Sequence, residues 1–278
     1  MEIQIVSVYC LSDDLLIALG HQEDPQVRMS DAEVMTTAIV AALNFGGNFE
    51  KARDFLKTHN YIPNMLSKSQ FNRRLHRIKE LFLTLFSVLG ETFKSLNSGC
   101  TYVIDTMPVA VCDNIRIRRC KIYQTEAHRG YQSLPRFIGA SKKRYFYGVK
   151  VHVLVTTAYQ PVEFFITAGS VGDVEGLQWF EFDLPEGSRV YADKAYNNYE
   201  IEDILSDVDV TLFPARKSNS KRPHQPWEAY LCDYYRKRVE TAGSLISRLL
   251  PKSIHAVTQE GFELKVALFV LASAINCL

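Results

Sequence analysis

The stretches TYVIDTMPV at residues 101–109 and RVYADKAY at residues 189–196 share one pattern. In each, a short apolar run leads directly into an aspartate, Asp105 in the first and Asp193 in the second. Such runs are typical of buried strands. A carboxylate at the end of a buried strand is costly unless it is paired or bound to a metal ion. Because sheet edges place neighbouring strand ends together, the two aspartates are predicted to share one site.

The sequence around these two strands predicts a mixed α/β domain over residues 99–278. The runs 145–156 and 162–167 are rich in Val, Tyr and Phe and are predicted to form a hairpin. Further strands are predicted at 189–192 and 210–213, and helices at 177–182, 200–205, 227–250 and from residue 260 onward. The long stretches 113–144 and 214–226 contain Pro, Ser, Lys and Arg, and loops of that length are usually functional.

Residues 1–98 are predicted to form a helical domain that binds DNA ends. Ser30 and Glu33 have the spacing of a capping box. A helix is predicted from Ser69 to about Phe93, because apolar residues recur at three- and four-residue steps. The start of that helix could be the recognition helix of a helix-turn-helix, or an ordinary solvated face. Its candidate DNA contacts are Arg73, Arg74 and Arg77.

Charge is distributed unevenly along the chain, although the net charge is only +1. Residues 114–150 contain ten basic and one acidic side chain, whereas residues 151–209 contain two basic and twelve acidic ones. Local charge governs phosphate binding, so the basic segment is a candidate DNA surface unless the two segments neutralise each other in the fold. Its candidate contacts are Arg116, Arg118, Arg119, Lys142, Lys143 and Arg144.

The six cysteines show no paired spacing, which predicts reduced thiols in a cytoplasmic protein. No secretory signal or membrane-spanning run is recognisable. Cys112, Cys120 and His128 are evenly spaced, but the close cysteine pair and the fourth ligand of a zinc site are missing. His152 is interpreted as a packed or surface histidine.

Glu240 is the candidate third carboxylate, and it lies four residues after Arg236 on a predicted helix. The alternative for this pair is a routine helical salt bridge. Gly243 lies one turn further on, where a glycine costs about 1 kcal/mol relative to alanine. A close approach of another backbone or of DNA would account for it. Three carboxylates suit Mg²⁺ or Mn²⁺, and two such ions can catalyse phosphodiester displacement.

At these residues the sequence resembles bacterial insertion-sequence transposases of the DDE class, and most closely the insertion-sequence family numbered 982. The stretches that carry the resemblance include VIDTMPVAVCDNIRIRRCKIY, KKRYFYGVKVHVLVT, GSVGDVEGL, VYADKAYNNYEIED and YYRKRVETAGSLISRLLPKS. They cover nearly all of residues 100–260, and FNRRLHRIKELF extends the likeness into the helical region. Jointly these motifs are highly specific.

The resemblance implies a ribonuclease H-like catalytic domain in which Asp105, Asp193 and Glu240 bind two Mg²⁺ or Mn²⁺ ions. It implies metal-dependent cleavage at the terminal inverted repeats and attack of the freed 3′-OH on target DNA. Arg236 would contact double-stranded DNA near the scissile phosphate. Because two ends must be held together, a homodimer on DNA is expected.

The sequence departs from the pattern of related families at several positions. Asp233 and Ser247 stand where relatives have a tyrosine and a lysine around the glutamate, and Asp173 is a rival or auxiliary carboxylate. Two other functions remain open at this stage. One is a catalytically decayed transposase that acts as a DNA-binding protein, and the other is a nuclease without strand transfer.

Overall fold

The computed structural model describes residues 1–133 and 143–278, which form two compact units. Unit 1 comprises residues 1–89, 246–256 and 260–278, and unit 2 comprises residues 90–245 and 257–259. The C-terminal helix thus lies in unit 1, whereas the sequence analysis grouped it with residues 99–278. The assignment of end binding to residues 1–98 stays a prediction. Within the described ranges, no helix is both long and apolar enough to cross a bilayer.

Unit 1 is built from helices. These are α1 (Glu2–Ala18), α2 (Asp31–Asn44), α3 (Phe49–Thr58), α4 (Lys68–Arg77), the first part of α5 (Lys79–Leu96) and α9 (Gln259–Ile275). Helices α2 and α9 are apolar on nearly all faces and supply most of the buried side chains, among them Ile39 and Phe269. A helix that is hydrophobic all round belongs in the middle of a bundle, and this composition therefore sets the core of unit 1.

The capping box at the start of α2 is confirmed. The Ser30 hydroxyl accepts from the Glu33 backbone N–H at 3.1 Å, and the Glu33 carboxylate accepts from the Ser30 N–H at 2.7 Å. The single helix predicted from Ser69 to Phe93 is wrong, because α4 ends at Arg77 and α5 begins at Lys79. The spacing of the apolar residues continues unchanged across the break at Ile78. The hydrophobic period therefore did not indicate that one helix ends there and another begins.

Unit 2 contains a six-stranded mixed sheet. Its strands are β1 (Thr101–Cys112), β2 (Arg129–Ser133), β3 (Lys143–Thr156), β4 (Pro161–Ala168), β5 (Ser188–Ala192) and β6 (Val210–Pro214). The order is β2-β3-β1-β5-β6, with β4 also paired to β3. Strands β1 to β4 pair antiparallel, whereas β1, β5 and β6 pair parallel. With its helices, this sheet confirms the predicted mixed α/β class, and the narrower ribonuclease H-like assignment stays a prediction.

The helices of unit 2 are the second part of α5, α6 (Asp173–Leu177), α7 (Tyr199–Asp207) and most of α8 (Pro226–Leu249). The predicted helix at 177–182 is wrong, because α6 ends where it was expected to begin. The apolar residues there serve aromatic packing instead. Phe180 packs edge-on against Phe165, with 4.7 Å between ring centroids, and its centroid lies 5.3 Å from that of Phe182. The predicted hairpin is confirmed as β3 and β4, whereas β2 was not predicted.

Replacing Ser30 with alanine removes the capping hydroxyl of α2 and is expected to lower the free energy of unfolding by about 1 kcal/mol. Urea denaturation followed by far-ultraviolet circular dichroism measures this change. Ser253→Ala is the matched control, because Ser253 is exposed outside the helices of unit 1. Equal midpoints for the two variants would show that the capping box adds no stability.

Candidate active site

Parallel pairing of β1 and β5 brings Asp105 and Asp193 to the same edge of the sheet. Val103 pairs with Tyr191, and the same register continued two residues places Asp105 beside Asp193. Both residues are half-buried. The register of β1 and β5 supports a shared site, and the assignment of that site to these two aspartates stays a prediction.

Helix α8 packs directly against the Asp105 carboxylate. The Oδ1 atom of Asp105 accepts a hydrogen bond from the Thr106 N–H at 2.8 Å. A Cβ atom placed on Gly243 would lie 2.5 Å from Asp105 Oδ2, closer than real Cβ contacts allow. The sequence predicted another backbone or DNA beside Gly243, and the structure instead places the side-chain carboxylate of Asp105 there. Glu240 lies three residues earlier in α8, and positions three apart share a helix face.

The remaining site predictions on α8 concern residues whose side chains lie outside the described part of the structure. These are Glu240 and Arg236. Their places in the helix are described, and the position of Glu240 follows from the contact at Gly243. Their roles stay predictions.

A buried chain of polar groups links the segments that carry the two aspartates. Thr106 Oγ1 lies 3.0 Å from His152 Nδ1 and also hydrogen-bonds the Tyr196 hydroxyl. His152 Nε2 lies 2.9 Å from Thr167 Oγ1. Thr106 follows Asp105 directly, and Tyr196 ends the 3₁₀ turn that begins after Asp193. We call Thr106, His152, Thr167 and Tyr196 the buried relay.

Sequence reasoning missed the relay, although two of its members lie in the stretches that revealed the aspartates. His152 is fully buried and confirms the packed alternative of its interpretation. The available signal was the placement of Thr106 one residue after Asp105 and of Tyr196 three residues after Asp193. Only the tertiary structure shows that these two positions meet.

Burial sets the protonation of the relay. It lowers the pKa of His152 to about 4, and nearby Asp173 only partly opposes this shift. Burial also raises the pKa of Tyr196 well above its usual value, and the neighbouring carboxylates of Asp173, Asp105 and Asp193 raise it further. At neutral pH the imidazole is therefore uncharged and the phenol is protonated, so the relay consists of neutral hydrogen-bonding groups.

Two further contacts border the relay. Gly176 of α6 lies against the His152 ring, and any Cβ atom at that position would collide with the imidazole. Lys150 Nζ donates to the Val171 carbonyl at 2.7 Å and to Asp173 Oδ1 at 3.1 Å. Asp173, the rival carboxylate of the sequence analysis, is therefore neutralised by a lysine of β3.

The loop that follows Asp193 is fixed by a network on its other side. Asn197 Nδ2 donates to the carbonyls of Lys194 and Ala215 at 2.9 and 2.8 Å. Arg216 donates to Asn197 Oδ1 at 2.9 Å and to both carboxylate oxygens of Glu202 at 2.7 Å. Glu202 is buried and belongs to α7. This bidentate pair ties the end of β6 to α7 and thereby holds the chain leaving Asp193.

The predicted DNA-contacting residues differ in how available they are. Arg74 is committed within unit 1, where its guanidinium hydrogen-bonds Asp31 and lies 3.7 Å from Glu23. Lys142 lies outside the described residues, as do the side chains of Lys143 and Arg144. The exposed members of the set are Arg73, Arg77, Arg116, Arg118 and Arg119.

The evenly spaced cysteines and histidine do not form a zinc site among the described residues. His128 stacks on Tyr123 with 3.9 Å between ring centroids, and its Nδ1 lies 2.9 Å from Thr125 Oγ1. Burial and the nearby Cys120 raise the pKa of Cys112 to about 11, which keeps that thiol protonated.

Within the described ranges, one group of three potential ligands converges to within 4.8 Å, namely His21, Glu23 and Asp31. Arg74 occupies it, since its Nε donates to Asp31 at 3.0 Å and His21 Nε2 lies 2.9 Å from the same carboxylate. The group is thus an ion-pair network that joins α4 to the start of α2.

The depressed pKa of His152 predicts a pH-dependent stability. In the unfolded chain a histidine titrates near 6.5, so between pH 6.5 and about 4 the unfolded state binds a proton that the folded state does not. Stability contributed by this residue is complete above pH 6.5 and falls by about 3 kcal/mol as the pH drops toward 4. His152→Leu should flatten that part of the profile of unfolding free energy against pH.

The control for this measurement is His255→Leu, since His255 is exposed. It should retain the wild-type slope between pH 6.5 and 4.5 in urea denaturation. A His152→Leu profile as steep as that of His255→Leu would contradict the assignment of a buried, neutral imidazole.

Comparison with known proteins agrees with this geometry. The sequence matches the family described as transposase DDE domain over residues 95–250, more than half of the chain. A solved structure, the cryo-EM structure of piggyBac transposase synaptic complex with hairpin DNA, aligns with 97% of this chain and 72% of its own at 9% identity and a TM-score of 0.44. No curated protein matches the sequence significantly.

The family match covers β1, β5 and α8, the three elements on which the candidate active site is built. The narrower resemblance to the insertion-sequence family numbered 982 stays a prediction. Members of the matched family act on DNA with divalent metal ions. The chain belongs to the transposase DDE domain family and is a DNA transposase.

Proposed function

We propose that Asp105, Asp193 and Glu240 hold the divalent metal ions with which this transposase cleaves the ends of its element and joins the freed 3′-OH to target DNA. The observation that carries the proposal is the contact of Gly243 with the Asp105 carboxylate. It brings α8 against the edge where Asp105 and Asp193 lie, with Glu240 one turn away on the same helix face.

The chemistry of the three side chains fits Mg²⁺ or Mn²⁺. Carboxylate oxygens are the ligands that these ions prefer, and a site without thiolate or imidazole ligands disfavours zinc. Three carboxylates also match the charge of two divalent ions that share phosphate ligands. When bound, such a pair of ions lowers the pKa of water and stabilises the attacking and leaving oxygens of a phosphodiester.

The residues around the triad hold its geometry. The Thr106 N–H fixes Asp105 Oδ1, which directs Oδ2 toward α8. The relay holds Thr106 from the opposite side of the strand. Both ring nitrogens of His152 are engaged by threonine hydroxyls, and the ring is fully buried. We therefore assign His152 a positioning role and not that of a general base.

The exposed arginines supply candidate contacts to the DNA backbone. Arg116, Arg118 and Arg119 lie together on the 3₁₀ segment Asn114–Arg119, and each positive charge placed near a phosphate releases a counterion. Such contacts position the duplex without reading its sequence. Because two transposon ends must be processed together, we propose that the enzyme acts as a homodimer on paired ends. Sedimentation that shows only a monomer on paired ends would contradict it.

The triad is tested by incubating purified protein with a labelled duplex that carries the element's own terminal sequence, at low salt, with Mg²⁺ or with EDTA. Wild-type protein should nick the duplex at the end only with Mg²⁺. Asp105→Asn, Asp193→Asn and Glu240→Gln should each lower the rate by more than about a hundredfold, because each removes a metal ligand. Joined products report strand transfer, which a plain nuclease would not yield.

Asp207→Asn is the matched control, because Asp207 is exposed at the end of α7, and it should nick at the wild-type rate. Tight binding of the wild type without metal-dependent nicking would instead identify a decayed transposase that acts as a DNA-binding protein. Full activity of any one triad variant would remove that residue from the proposal.

Gly243→Ala tests the observation that carries the proposal. Alanine raises helix propensity by about 1 kcal/mol, so an isolated α8 would gain stability. In the folded protein the new methyl group would displace the Asp105 carboxylate. We expect nicking to fall by at least about tenfold and the Mg²⁺ concentration for half-maximal rate to rise.

Ser244→Ala is the control, since Ser244 is exposed on the same helix and carries a similar gain in propensity. Its nicking rate and Mg²⁺ dependence should match the wild type. A Gly243→Ala enzyme with the same Mg²⁺ dependence as Ser244→Ala would show that the α8 contact does not shape the metal site.

A further inference from the structure

The 3₁₀ segment Asn114–Arg119 presents an unusual side chain to solvent. Ile115 is 94% exposed, which leaves its aliphatic group in water. A single exposed isoleucine is common on protein surfaces and carries no argument by itself. Its neighbours distinguish this isoleucine from others on the surface. It lies between Asn114 and Arg116 on a segment that also carries Arg118 and Arg119.

The three arginines of this segment are available for an anionic partner. All are exposed, and none forms an ion pair with a carboxylate in the part of the chain that the structure describes. This contrasts with Arg74 and Arg216, which are committed to buried acids. An apolar tip set among free arginines matches the proteins that insert a wedge between base steps while holding the flanking phosphates.

A cleft adjoins the apolar tip. Its volume is about 220 Å³, and its lining consists of Pro108, Ala110, Cys112, Asp113, Asn114, Tyr145 and Phe146. Pockets for drug-sized ligands measure roughly 300–1,000 Å³, so this cleft suits a smaller group. The lining combines apolar residues, Phe146 among them, with the polar Asp113 and Asn114, and such surroundings suit a single nucleobase.

The segment is held in place before any partner binds. Asn114 Nδ2 donates to the Tyr145 carbonyl at 2.9 Å, which ties the segment to β3. The Arg116 N–H donates to the Asp113 carbonyl at 2.8 Å and the Cys120 N–H to the Ile117 carbonyl at 3.1 Å. The tip therefore keeps its shape, and a rigid wedge loses little conformational entropy on insertion.

We propose that this segment and the cleft form a binding site for one unstacked nucleotide of the DNA substrate. Ile115 enters the base stack, the arginines bind the flanking phosphates, and the displaced base occupies the cleft against Phe146. The inference rests on DNA being the substrate of this transposase and is independent of the identity of the metal ligands.

The polar residues of the cleft select among bases. One N–H of the Asn114 amide is used by the Tyr145 carbonyl, whereas the Asp113 carboxylate can only accept hydrogen bonds. Acceptors bind exocyclic amino groups, which adenine and cytosine carry on their pairing edges and thymine does not. The site should therefore prefer an unpaired adenine to an unpaired thymine.

Binding to three labelled duplexes tests the proposal, with full-length protein in EDTA and 50 mM salt so that no cleavage occurs. The duplexes are identical except at the centre, which holds a normal pair, an adenine opposite an abasic site, or a thymine opposite an abasic site. We expect the wild type to bind the unpaired-adenine duplex about tenfold more tightly than the normal duplex, because little unstacking energy is required. Unpaired thymine should give a smaller preference.

Two variants separate the parts of the site. Ala110→Leu fills the cleft from an exposed position of β1, and Ile115→Ala removes the wedge. Each should bring the ratio of affinities for unpaired-adenine and normal duplex to within about twofold of one. Ile3→Ala is the matched control, because Ile3 is another exposed isoleucine, 83% accessible, in unit 1, and it should keep the wild-type ratio.

Equal binding of the three duplexes by the wild type would overturn the proposal, and so would an unchanged ratio in Ala110→Leu and Ile115→Ala. Asp193→Asn should retain the wild-type ratio, because the assay needs no metal. Failure of the triad assignment and failure of this site are therefore distinguishable. If the triad assignment fails, Asp193→Asn nicks DNA at the wild-type rate. If the nucleotide site fails, metal-dependent nicking is intact but the wild type shows no preference for the unpaired adenine.

Discussion

The side-by-side placement of Asp105 and Asp193 is the constraint on which the rest of unit 2 depends. Carboxylates on neighbouring strands repel each other in the absence of cations. The backbone sets their placement, because the parallel pairing of β1 and β5 from Thr101 to Val103 fixes the register of the two segments that lead into the aspartates.

The buried relay is the second means by which the frame resists that repulsion. Thr106 and Tyr196 leave the two aspartate-bearing segments toward the same interior and bind each other, while His152 and Thr167 anchor them to β3 and β4. Neutral groups suit this task, because a charged imidazole there would itself alter the field at the carboxylates. Burial keeps the imidazole neutral, and Gly176 allows α6 to cover it closely. Positioning and electrostatics are thus served by one packing arrangement.

The sequence predicted the elements whose pattern is local. The runs before Asp105 and Asp193 are continuously apolar, as in buried strands, and Gly243 in an otherwise good helix indicated a close approach. It could not predict which atoms meet there, because the partner of Gly243 lies well over a hundred residues away. The helix predicted at 177–182 is wrong for the same reason, because its apolar residues are explained by tertiary contacts. Phe180 packs against Phe165, and Phe182 packs against Phe180. A short strand such as β2 is specified mainly by its partner β3.

The near-zero net charge of the chain is the sum of acidic groups that are partly neutralised within the fold and basic groups that remain exposed. Acids of the segment 151–209 are partly neutralised within the fold, as Glu202 is by Arg216 and Asp173 by Lys150. The arginines of Asn114–Arg119 have no such partners in the described part of the chain and remain exposed. The formal sum therefore underestimates the positive charge available to a phosphate backbone. That charge surrounds the exposed Ile115 and adjoins a cleft, which is where the proposed nucleotide site requires it.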